Sequence, residues 1–106
     1  MQRRQIIYLP TATDDLREIA AWIADRTSSD FAVDYVERIQ QRIETLSYGS
    51  ERGTLREDIR PGLRAIGLMK SVTLAFFVEK DAVMIVRVLY GGQNWQEDMS
   101  NGEDDA

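Results

Sequence analysis

Val72-Thr73-Leu74-Ala75-Phe76-Phe77-Val78-Glu79-Lys80-Asp81-Ala82-Val83-Met84-Ile85-Val86-Arg87-Val88-Leu89-Tyr90 is the stretch that decides the fold of this chain. Two runs of β-branched and aromatic residues flank the polar corner Glu79-Lys80-Asp81-Ala82, a pattern that predicts a β-hairpin. The second run is apolar at successive positions, so it predicts a central strand covered on both faces. Helices earlier in the chain account for one cover. The other face calls for a partner.

Working outward from the hairpin, residues 63–69 read as a preceding strand. Residues 47–62 are irregular, punctuated by Gly49, Gly53, Pro61 and Gly62. Upstream, Leu16, Ile19, Ala20 and Ile23 recur at helical spacing, which predicts an amphipathic helix over about residues 11–26. Thr11 or Thr13 can cap it, and Asp14, Asp15 and Glu18 suit its positive end. Thr27-Ser28-Ser29 ends that helix and caps a longer one over about 29–47, with Asp30 in its first turn. Ala32, Val36, Ile39, Ile43 and Leu46 mark its apolar face. So short a connection makes the helices an antiparallel hairpin. A strand from Gln5 to Leu9, ended by Pro10, precedes them. The order β-αα-βββ predicts an α+β fold: an N-terminal strand and a helical hairpin packed on a curled, mainly antiparallel sheet.

The 106 residues suit one domain, placed at residues 1–96. Residues 97–106 hold five acids and no base, which reads as a flexible, solubilising acidic tail. Taking those five from the 18 acids leaves 13 against 13 bases, so the body is neutral and offers no broad footprint for nucleic acid. Cysteine and histidine are absent, which excludes disulfides, cysteine/histidine zinc sites and imidazole catalysis. The acid pairs Asp14/Asp15, Glu57/Asp58 and Asp104/Asp105 are adjacent in sequence and do not converge on a metal; no cofactor is expected. No apolar stretch approaches the roughly 20 residues that cross a bilayer, and the expected location is the cytoplasm.

With its strands placed, the chain resembles the ParE/RelE superfamily of type II toxin–antitoxin systems, and its ParE branch best. Leu9, Ala12, Asp15-Leu16, Ile19 and Trp22-Ile23 match the first strand and helix of that branch. Ala32, Tyr35, Ile39, Ile43 and Leu46 match the second helix. Leu63-Arg64, Phe76-Phe77-Val78 and Ile85-Val86-Arg87-Val88-Leu89-Tyr90 match the sheet, ending in the order Arg-Val-Leu-(His or Tyr)-Gly. The resemblance implies a RelE/ParE-like fold and a ParD-like antitoxin whose C-terminal segment folds across the helical hairpin and the free sheet face. It implies DNA gyrase as the target, inhibited by binding without enzymatic chemistry. RelE-like relatives are instead ribosome-dependent messenger RNA endonucleases, which place basic groups and a terminal Tyr along the sheet. Here the corresponding positions read mostly Ala65, Ile66, Thr73, Gly91 and Gly92, which argues against that chemistry. A third reading is a non-toxic binding module of an antitoxin complex.

Side chains divide on these readings. Trp22, Phe31 and Tyr35 lie off or beside the core stripes, and as aromatics at a groove edge they are candidate antitoxin anchors. Arg52, Arg56, Arg60 and Arg64 come every fourth residue. They form either a rim gripping antitoxin carboxylates or a solvated loop neutralised by Glu51, Glu57 and Asp58; Arg60 and Arg64 are the candidate contacts. Arg87, read on the same face as Val83, Ile85 and Leu89, requires an open face or a carboxylate. It is a candidate for the antitoxin's acidic segment, or a structural partner of a residue such as Glu79 or the tail. Tyr90 and Trp95 are candidates for the target-facing end.

Overall fold

The computed structural model of the protein describes residues 3–91. Trp95 and the acidic tail lie outside the described residues. Among the described residues five strands form one sheet, and two helices make a hairpin on one of its faces. Strand β1 is Gln5–Tyr8, helix α1 Pro10–Arg26 and helix α2 Ser29–Glu44, which continues into a 3₁₀ turn at Thr45–Ser47. The strands that follow are β2 (Thr54–Leu55), β3 (Arg64–Met69), β4 (Val72–Val78) and β5 (Ala82–Tyr90).

The sheet runs β1-β5-β4-β3-β2. Its β5–β4, β4–β3 and β3–β2 pairs are antiparallel, whereas β1 lies parallel to β5, from Gln5 opposite Ala82 to Tyr8 opposite Ile85. A parallel neighbour requires a crossover, and the helical hairpin is that crossover's first part. The two-residue β2 lies in the segment read as irregular. It is held against β3 at Gly53, whose φ is +77° and where a Cβ would collide with the Ala65 carbonyl oxygen. Only glycine fits there.

Helix α1 begins one residue before its predicted start. Pro10 occupies the first turn, where its missing N–H costs nothing. Leu9 is the N-cap, and neither Thr11 nor Thr13 caps; the first turn holds no acid, so Asp14 and Asp15 are not dipole partners there. Ser28 caps α2 as expected, its hydroxyl accepting from the Phe31 N–H at 3.1 Å.

Ile19, Ile23, Ile39, Ile43 and Leu46 from the helical side meet Leu74, Phe76, Val83, Ile85 and Val88 from the sheet in the main core. A second cluster sits on the opposite face. There Ile59 and Leu63, from the segment between β2 and β3, join Ala75, Val86 and Leu89. The chain itself therefore supplies cover that the apolar run seemed to require from a partner. That run also owes its unbroken apolarity to an irregularity. Ala75 pairs with Arg87 but Phe76 pairs with Ile85, which leaves Val86 as an extra residue in β5. The insertion shifts the phase of the strand. Arg87 therefore does not share a face with Val83 and Ile85, and the reading that put them together is corrected.

Candidate partner-binding site

Helix α1 rises over β5 where β1 stops. Just past β1 the Leu9 N–H donates to the Ile85 carbonyl at 3.0 Å. Two residues on, the Thr11 hydroxyl donates to the Val86 carbonyl at 2.7 Å. One helical turn further, the Asp15 carboxylate accepts from the Val88 N–H at 2.9 Å. The same carboxylate takes a forked pair from Arg87, Nε at 2.7 Å and Nη2 at 3.0 Å. Two parallel charge-assisted bonds of this kind are the strong geometry for guanidinium and carboxylate. Asp15 is only 7% exposed, so this pair is an interior one. Among the described residues the carboxylate that Arg87 requires is thus supplied by Asp15 and not by Glu79.

Beyond this pair β5 ends in an aromatic cluster. The Tyr90 ring lies 5.2 Å from Trp22 and 5.9 Å edge-on from Tyr35, and Tyr35 stacks on Phe31 at 6.4 Å. Both helices and the last strand therefore contribute to one patch. Trp22 is 45% and Phe31 48% exposed, a large apolar area for a surface. Trp22 precedes the buried Ile23 and so sits just off the core stripe of α1, while Phe31 precedes the buried Ala32 in the first turn of α2. Arginines flank the rings: the Arg26 guanidinium lies 3.9 Å from the Trp22 centroid and that of Arg38 5.6 Å from Tyr35, within cation–π reach. Burial, then the neighbouring Tyr90, raise the Tyr35 pKa above its ordinary value, against an opposing pull from Arg38. A cleft of about 370 Å³ opens beside the cluster, lined by Asp15, Glu18, Ile19, Trp22, Val88, Tyr90 and Gly91.

The structure thus unites Trp22, Phe31, Tyr35 and Tyr90, which the sequence had divided between two partners. It does not bring the arginines of residues 52–64 to them. Arg56 forks onto Asp58 at 3.0 and 2.9 Å. Arg52 folds back on the Gly49 carbonyl at 2.9 Å, and Arg64 donates to the Arg52 carbonyl at 3.3 Å. Arg60 is half-buried in the turn before Leu63. Spacing by four lines up side chains on a helix, and this segment has none. Among the described residues no group of acids is placed to hold a metal ion, and no helix is long and apolar enough to cross a membrane. Sequence reasoning missed Thr11 and Asp15 as contacts to β5. Their spacing of four on α1, together with an arginine in an apolar strand, was the available signal.

A family model described as ParE toxin of type II toxin–antitoxin system, parDE, matches residues 6–95. The fold is similar to that of the chromosomal ParDE TA system from P. aeruginosa, with a TM-score of 0.74 and 20% identity over 85% of this chain and 98% of that one. It is also similar to the toxin–antitoxin complex RelBE2 from Mycobacterium tuberculosis, with a TM-score of 0.56 and 19% identity over 88% of this chain and 97% of that one. The YoeB–YefM complex from Staphylococcus aureus gives a TM-score of 0.54 and 16% identity over 85% and 99%. No curated protein sequence matches the chain.

Proposed function

Because the chain belongs to the ParE toxin family of type II toxin–antitoxin systems, we propose that it is a toxin acting by binding rather than by catalysis. In this reading it inhibits DNA gyrase in the cytoplasm. A ParD-like antitoxin neutralises it through a C-terminal segment that folds across the helical hairpin. The observation that carries the reading is the aromatic cluster of Trp22, Phe31, Tyr35 and Tyr90 with Arg26 and Arg38 at its margin. Trp, Tyr and Arg in one partly exposed patch is the composition of an interface hot spot. A segment that orders on binding costs about 2–5 kcal/mol in doing so, which burial of the exposed Trp22 and Phe31 rings helps to offset.

Likeness of fold extends to RelBE2 and YoeB–YefM, so the choice of target rests on side chains. Phosphodiester cleavage needs a base or acid and cationic groups converging on one point. Arg64 and Arg87 both make bonds within the chain, to Arg52 and Asp15. Ala65, Ile66 and Thr73 occupy the adjoining sheet positions. This supports binding over cleavage.

Expression in a bacterium lacking the antitoxin tests the proposal. DNA damage and filamentation are expected. Immediate arrest of translation with cut messenger RNA would replace it by the endonuclease reading, and unimpeded growth by that of a non-toxic binding module.

A further inference from the structure

Strand β5 runs five residues past the end of its neighbour β1, yet its outer edge there is bonded at Val86 and Val88 by side chains of α1. We infer that Thr11 and Asp15 act as a surrogate for the missing strand and that Asp15 is the positioning residue for the binding end of β5. This inference rests on the aromatic cluster being the binding surface.

The argument is one of matched spacing. Residues two apart on a strand present their edge groups roughly 6.7 Å apart. Residues four apart on a helix are displaced by about 6 Å along its axis and share a face. Thr11 and Asp15 stand in that relation on α1, and Val86 and Val88 in the former on β5. The Thr11 hydroxyl donates to the Val86 carbonyl and the Asp15 carboxylate accepts from the Val88 N–H, at 2.7 and 2.9 Å. One donor and one acceptor thus continue the series begun by the Leu9 N–H on the Ile85 carbonyl. Asp15 adds the fork onto Arg87, which fixes the strand at the residue after its irregularity. The next inward positions are Val88, in the core, and Tyr90, against Trp22 and Tyr35. Asp15 thereby sets where Tyr90 stands without touching it. The edge is also closed to strand addition at Val88, so a partner must read side chains at this end.

Amide hydrogen exchange of the full chain, followed by NMR, tests this. In the wild type the Val88 N–H is expected to be as protected as the amides at 83–85. In Asp15→Ala the amides at 88–91 should lose roughly 10- to 100-fold more protection than those at 83–85, which fall only by the drop in global stability. Ring-to-ring NOEs between Trp22 and Tyr90 should weaken at the same time. Asp15→Asn retains one acceptor and should restore most of the Val88 protection. An unprotected Val88 amide in the wild type would overturn the inference, which keeps it testable even if Asp15→Ala does not fold. So would unchanged exchange in Asp15→Ala, or a uniform loss throughout the sheet. Neither gyrase nor antitoxin enters this measurement, so its failure is distinguishable from failure of the proposed function.

Discussion

Replacing Asp15 by alanine removes an acceptor that serves three N–H groups at once. The Val88 amide loses its partner at a buried position, a loss of about 1–3 kcal/mol. The Arg87 guanidinium also loses its counter-charge. Breaking an interior ion pair from one side costs about 3–5 kcal/mol, but the Arg87 side chain is 21% exposed and regains some water. We therefore expect Asp15→Ala to lower the unfolding free energy by about 3–4 kcal/mol. Arg87→Ala should cost less, about 2–3 kcal/mol, because the carboxylate keeps the Val88 N–H. The double variant should cost about 4 kcal/mol, well short of the sum, since the groups share one interaction. Urea unfolding of the four proteins, with unchanged slopes, measures this. Single losses below about 1 kcal/mol, or additivity within about 0.5 kcal/mol, would refute the assignment of Asp15 as the partner of Arg87.

Gly53→Ala places a methyl against the Ala65 carbonyl in a left-handed backbone position. It should lower stability by more than about 1 kcal/mol in thermal unfolding, while Gly49→Ala, with open space around it, should cost less. Burial, and after it the charge of Glu44, push the Tyr8 phenol from 10.0 up to about 12. The neutral form is thus the one the folded state prefers, so this contribution is complete below pH 10 and disappears as pH rises towards about 12. Melting temperature should therefore fall more steeply across that window in the wild type than in Tyr8→Phe. Trp22→Ala, at a half-exposed position, should change the melting temperature by only a few degrees while weakening antitoxin binding at least tenfold by calorimetry.

The helices were legible because a 3.6-residue stripe of Leu16, Ile19, Ile23 and Ile39, Ile43, Leu46 leaves few alternatives, and Ser28 is a cap that acts locally. The hairpin was legible from β-branched runs around a polar corner. What escaped depended on distant partners. Pro10 was taken as a stop, though the first helical turn accepts proline. Strand β2 has two residues, too few to show alternation. The extra residue at Val86 changed the face of Arg87, and no residue type announces such a shift. That Arg87 needed a carboxylate was evident from its apolar surroundings. That the carboxylate stands 72 residues earlier was not. Trp22, Phe31 and Tyr35 were recognised as lying off the core stripes, but their meeting with Tyr90 comes from the docking of α1 and α2 on β5.

Gyrase supercoiling in the presence of purified protein tests the central claim most directly, with Tyr90→Ala and Trp22→Ala alongside primed ribosomes as the control reaction. The account predicts inhibition at micromolar concentration with accumulation of cleaved DNA, weakened in both variants, and intact messenger RNA. Undisturbed supercoiling together with cut messenger RNA would contradict it.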